Sequence, residues 1–123
     1  MRAEIKSLSA VMTDDLEHFS PEDPDVFSVP MTLTVGTPDS PGGDNFEFQV
    51  CSPRYLASEV RDGGVLLVRH RLLMNAFDIQ KVRQFVERYV RGCEANTWEE
   101  LANKLSRLGT WEFEDYQEYK EGQ

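Results

Sequence analysis

The side chains best equipped for chemistry are few and scattered: Cys51 and Cys93, His18 and His70, and serines such as Ser52 and Ser58. Covalent catalysis needs a nucleophile beside a base that a third group orients. No recognisable motif supplies that set. Cys51 ends an alternating run just before Ser52-Pro53, and His70 lies inside VLLVRHRLLM between Arg69 and Arg71. No Cys/His spacing suggests structural zinc. Asp14, Asp15 and Glu17 carry the oxygens that calcium takes, but without EF-hand spacing. Paired acids, Asp14 with Asp15 and Glu112 with Glu114, have the chemistry of general acid–base catalysis. An acidic chain supplies such pairs by chance, and a glycosidase or two-metal nuclease needs a larger cleft or further ligands. The glycines of PDSPGGDN are not followed by GK[ST], and no GxGxxG occurs. No catalytic residue, cofactor or metal is therefore expected, and the chain is read as a non-enzyme.

Charge says more. The chain has 22 Asp+Glu against 13 Lys+Arg, a formal net charge of -9. A field of that sign repels nucleic-acid phosphates and anionic lipid, and favours basic partners. The acids gather in two places. Asp14, Asp15, Glu17, Glu22, Asp23 and Asp25 lie in a stretch with no Lys or Arg, and Pro21 and Pro24 forbid a continuous helix or central strand there. Glu112, Glu114, Asp115 and Glu118 form a second group near the C-terminus. Phe19, Phe27 and Tyr116 are interleaved with these acids as possible apolar anchors. Together these thirteen residues are the candidate partner-binding surface.

The elements that must position them follow from periodicity. Residues 1–8 alternate weakly and read as a first strand. In residues 26–36, Met31, Leu33 and Val35 share one face, and in 45–51 Phe46, Phe48 and Val50 do the same. The turn-rich PDSPGGDN between them predicts a hairpin. Ser52 caps and Pro53 opens a short helix burying Leu56 with Val60, and Asp62-Gly63-Gly64 ends it. Residues 65–74 read as a strand with Arg69 and Arg71 on one face, either solvated or paired with carboxylates. Asp78 caps a helix whose apolar stripe is Ile79, Val82, Phe85, Val86, Tyr89, Val90 and Cys93. Thr97 and Glu100 have capping-box spacing ahead of Leu101, Ala102, Leu105 and Leu108. Trp111 to Tyr116 begins by alternating aromatic and acid, as a last strand or an extended arm.

Strands and helices do not alternate as in a doubly wound fold. The expectation is an α+β domain, a mainly antiparallel sheet packed against two or three helices, spanning residues 1–123 as one domain. MRAEIKSLSA lacks the apolar run of a signal peptide, and no stretch is long enough to span a bilayer. A cytoplasmic protein with reduced, buried cysteines is expected.

Several segments carry a resemblance: Phe46 to Pro53 with Tyr55-Leu56 behind it, the Arg69 to Leu73 run, and Thr97 to Glu100 through Trp111 to Tyr116. Met1 to Leu8 and Ser20 to Pro24 fit as well. Over nearly its whole length the chain resembles the immunity protein 8 family of bacterial polymorphic toxin systems. The resemblance implies a cytoplasmic, non-catalytic inhibitor with an α+β fold. Such an inhibitor neutralises a cognate toxin delivered by contact or secretion, and many such toxins are nucleases. It assigns no binding residues. The alternative is a stand-alone protein-binding or regulatory domain without a toxin partner.

Overall fold

A computed structural model describes residues 1–60 and 62–114. In chain order the elements are β1 (Glu4–Ala10), a 3₁₀ turn (Leu16–His18), β2 (Ser28–Gly36), β3 (Asp44–Cys51), α1 (Pro53–Glu59), β4 (Arg71–Leu73), α2 (Ile79–Arg91), α3 (Trp98–Leu105) and β5 (Thr110–Trp111). The fold is α+β. β1, β2 and β3 form an antiparallel meander. The far edge of β3 is shared: β5 pairs antiparallel with Phe46 and Glu47, and β4 runs parallel to Gln49–Cys51.

The hairpin forms in the expected register, with Met31 opposite Phe48 and Leu33 opposite Phe46. Alternation sends Val29, Met31, Leu33, Val35, Phe46, Phe48 and Val50 to one face, and all are buried. Val82, Val86 and Val90 of α2 and Leu101, Ala102 and Leu105 of α3 join them in one continuous core. The opposite face carries Ser9, Thr32, Thr34, Asn45, Glu47 and Gln49, none of them buried. At the hairpin turn the strands close tightly. A Cβ on Gly36 would stand 2.1 Å from the Gly42 carbonyl oxygen, so only glycine fits there.

The helix caps form as read. Ser52 accepts from Tyr55 N–H, Asp78 from Gln80 and Lys81 N–H, and Thr97 from Glu100 N–H. Three expectations need correction. The strand expected over 65–74 is only Arg71–Leu73, because β5 already occupies part of the β3 edge and His70 turns the chain with φ 58°. Val65, Leu67 and Val68 before it are exposed. No residue of α1 is buried, so Leu56 and Val60 do not form a buried pair. Phe85 is exposed at the outer side of α2, where it stacks on Tyr89 with centroids 6.5 Å apart.

Candidate interaction surface

The acidic loop between β1 and β2 is held from beneath by apolar anchors. Leu16 is buried in the core. Phe27 is 4% exposed, and its ring meets Phe77 edge-on at 6.1 Å. Phe19, half-buried, meets the same Phe77 ring at 5.6 Å. Phe77 thus clamps the middle of the loop and its end, each edge-to-face contact adding about 1 kcal/mol to the burial. Polar ties finish the job. Glu17 accepts Arg83 Nε at 2.9 Å and Gln80 Nε2 at 2.8 Å, which fastens the 3₁₀ turn to α2. Asp23 Oδ1 accepts Asp25 N–H at 2.8 Å and Val26 N–H at 3.1 Å, an Asx turn that stiffens the segment after Pro21.

Above these anchors lies a groove of about 610 Å³ lined by Met12, Phe19, Pro21, Glu22, Asp23, Val26 and Phe27 among others. Met12 is 57% exposed and Val26 38%. The floor is apolar and the rim is acidic. Among the described residues, Asp14 and Glu22 make no side-chain bond. Asp15 pairs only with exposed His18, at 2.9 Å, and Asp25 only approaches Arg54, at 4.0 Å. An apolar centre inside a polar rim is the usual anatomy of a protein-docking patch. The candidates therefore divide. Asp14, Asp15, Glu22, Asp23 and Asp25 face outward, Glu17 is a structural tie, and Phe27 belongs to the core rather than to any exposed anchor set. The contribution of Met12 and Val26 was not read from the sequence, although each is apolar beside the acidic run.

The second acidic group has a different disposition. Glu112 Oε1 accepts Asn45 N–H at 2.9 Å, while its own N–H donates to Asn45 C=O at 3.0 Å. Glu114 pairs with Arg69 at 2.6 Å. Both acids fasten β5 to the rest of the fold. Asp115, Tyr116 and Glu118 lie outside the described residues. A neighbouring carboxylate missed from sequence completes the junction: Asp44 Oδ2 accepts Trp98 Nε1 at 2.7 Å and Trp111 Nε1 at 3.0 Å. Its position at the start of β3 gave no sign of this double use.

The chemical candidates are likewise engaged. His70 Nε2 donates to Ser106 C=O at 2.6 Å, and its Nδ1 shares a hydrogen bond with the Thr110 hydroxyl at 2.7 Å. Cys51 is fully buried, with Ser28 Oγ 3.3 Å from its sulfur. Burial pushes the Cys51 and Cys93 thiols up, away from the reactive thiolate. Arg71 pairs with Glu59 at 2.8 Å, as the carboxylate option anticipated. Glu59 is held below its ordinary value by hydrogen bonds from Tyr55 and Arg71. Among the described residues no cluster of three His, Cys, Asp or Glu is placed to hold a metal, and no helix is long and apolar enough to cross a membrane.

A meandering sheet backed by two helices, with an anchored acidic loop around an apolar groove, defines an α+β protein suited to binding another protein. The sequence profile of the family Immunity protein 8 matches residues 3–116, and the chain belongs to that family. Membership implies an immunity protein of toxin systems, with a toxin protein as its general partner. No curated protein and no solved structure matches the chain.

Proposed function

We propose that the chain, acting as one domain in the cytoplasm, binds and neutralises a cognate polymorphic or contact-delivered toxin domain without doing chemistry on it. The contact is made through the acidic loop, and the toxin presents a basic face such as a nuclease substrate cleft. One observation carries this reading: in an immunity-family chain of net charge -9, the loop holds exposed acids beside an open apolar groove, with Glu22 and Asp23 on its rim. The outward acids speed encounter and select orientation, and the groove supplies desolvated contact area. Glu112 and Glu114 have internal partners and are secondary to this surface.

The test is co-expression with the toxin encoded beside this gene. Growth rescue with a stoichiometric complex is the expected outcome. Reversing Asp14 and Glu22 together, which spares the Glu17 tie, slows association at low salt, and added salt narrows the difference. Absence of both rescue and complex with the true neighbour overturns the proposal.

A further inference from the structure

A second surface lies at the β4 edge of the sheet, beside the acidic loop: Ser28, which lines the loop groove, pairs with Cys51, and Cys51 pairs with Leu73. The ladder between β3 and β4 runs from Gln49 N–H to His70 C=O and from Met74 N–H to Cys51 C=O. In such a parallel pairing Leu72 faces β3, and the N–H and C=O of Arg71 and Leu73 point away from the sheet. Among the described residues those four main-chain groups have no hydrogen-bond partner in the sheet or elsewhere. Beside them a groove of about 310 Å³ runs between β4 and α2, lined by Leu72, Leu73, Met74, Lys81, Val82 and Phe85 together with Arg71. Leu73 is 53% exposed and Phe85 42%.

We infer that this edge accepts one extended strand of the toxin, added alongside β4. Outward backbone groups ask for a strand, since side chains do not satisfy them in register. The apolar groove asks for alternate apolar side chains, one seated between Leu72 and Phe85. Charge sets the remaining chemistry. Lys81 on the groove and Arg88, one turn past Phe85, have no carboxylate partner among the described residues. The Arg71 guanidinium is already taken by Glu59. The added strand therefore carries a carboxylate that meets Lys81. The same cations argue against a second copy as occupant, because a two-fold contact would bring them together with their own equivalents. This inference rests on the toxin-binding reading and extends it. The toxin is gripped at two adjoining surfaces of opposite charge, which fixes its orientation.

The experiment uses the full chain and the neighbouring toxin, with amide exchange followed residue by residue. In the free protein the Arg71 and Leu73 amides exchange fast while Leu72 and Met74 are slower. In the complex Arg71 and Leu73 become protected. Phe85→Asp, on the exposed side of α2, lowers affinity about tenfold or more. Leu73→Pro removes one outward donor and weakens binding. Should that variant fail to fold, the amide protection and Phe85→Asp still decide. A complex that forms without protecting Arg71 and Leu73, and with the same affinity for Phe85→Asp, overturns this inference and leaves the acidic-loop reading standing. Absence of any complex sinks both. Protection of the same amides in the toxin-free chain, with sedimentation at twice the monomer mass, overturns it in favour of a second copy.

Discussion

The loop joining β1 to β2 and the segment around β5 are built from the same kinds of residue, acids interleaved with aromatics, yet they use them in opposite directions. In the loop the aromatics point inward, onto Phe77, and most acids point outward. Around β5 the acids are taken by donors of the fold itself: Glu112 by the Asn45 backbone, Glu114 by Arg69, with Asp44 receiving both indoles. Composition alone therefore does not mark an interface. An acid is available to a partner only where the fold gives it no donor of its own.

The largest effect expected from this contrast is on the inner anchors of the loop. Phe27→Ala destabilises by about 3–5 kcal/mol in chemical denaturation, because it opens a cavity and abandons the Phe77 ring. A loss below about 1 kcal/mol would mean that the loop is not anchored from beneath. Next comes Asp44→Ala, at about 2–3 kcal/mol, since two indole donors lose a charged acceptor. Asp44→Asn recovers part of that loss. Reversing Asp14 and Glu22 leaves the denaturation midpoint within about 0.5 kcal/mol of wild type. It slows toxin association at low salt by about tenfold. If stability fell instead, those acids would be structural after all, and the contrast would break. The smallest effect is for Glu17→Gln, up to about 1 kcal/mol in stability, because the Glu17–Arg83 pair is partly exposed and solvent screens it.

Acidity adds a fifth discriminator. Glu59 is held low by Tyr55 and Arg71, so its folded value lies below its unfolded one. The tie between α1 and β4 is therefore fully present above the ordinary carboxylate value of 4.5 and is lost as pH falls through the lower folded value. Following β4 amide exchange on acidification checks this. Glu59→Gln removes the pH dependence.

Much of the fold was legible because strict alternation and local caps act over a few residues. The β2–β3 hairpin, the Ser52-Pro53 start of α1, and the Asp78 and Thr97 caps all depend on such neighbours. The 65–74 run was misread for a non-local reason. Its apolar residues suit a strand, but the β3 edge has room beside it for three residues only, once β5 is docked. The candidate surface was half legible. The proline-bounded acids stand out in the sequence, whereas the separation of Glu17 and Phe27 from the outward set depends on Arg83 and Phe77, more than forty positions away.

The shared carboxylate at Asp44 has a practical consequence. Trp98 and Trp111 are the only tryptophans in the chain, and both indole N–H groups end on one oxygen. The ultraviolet emission of this protein is therefore a local gauge of a single junction, where α3 and β5 meet the start of β3. A toxin without tryptophan, seated on the acidic loop, leaves that emission unchanged; one that prises β5 loose shifts it. A cuvette titration thus tells which of the two acid-rich regions is being touched before any complex is crystallised.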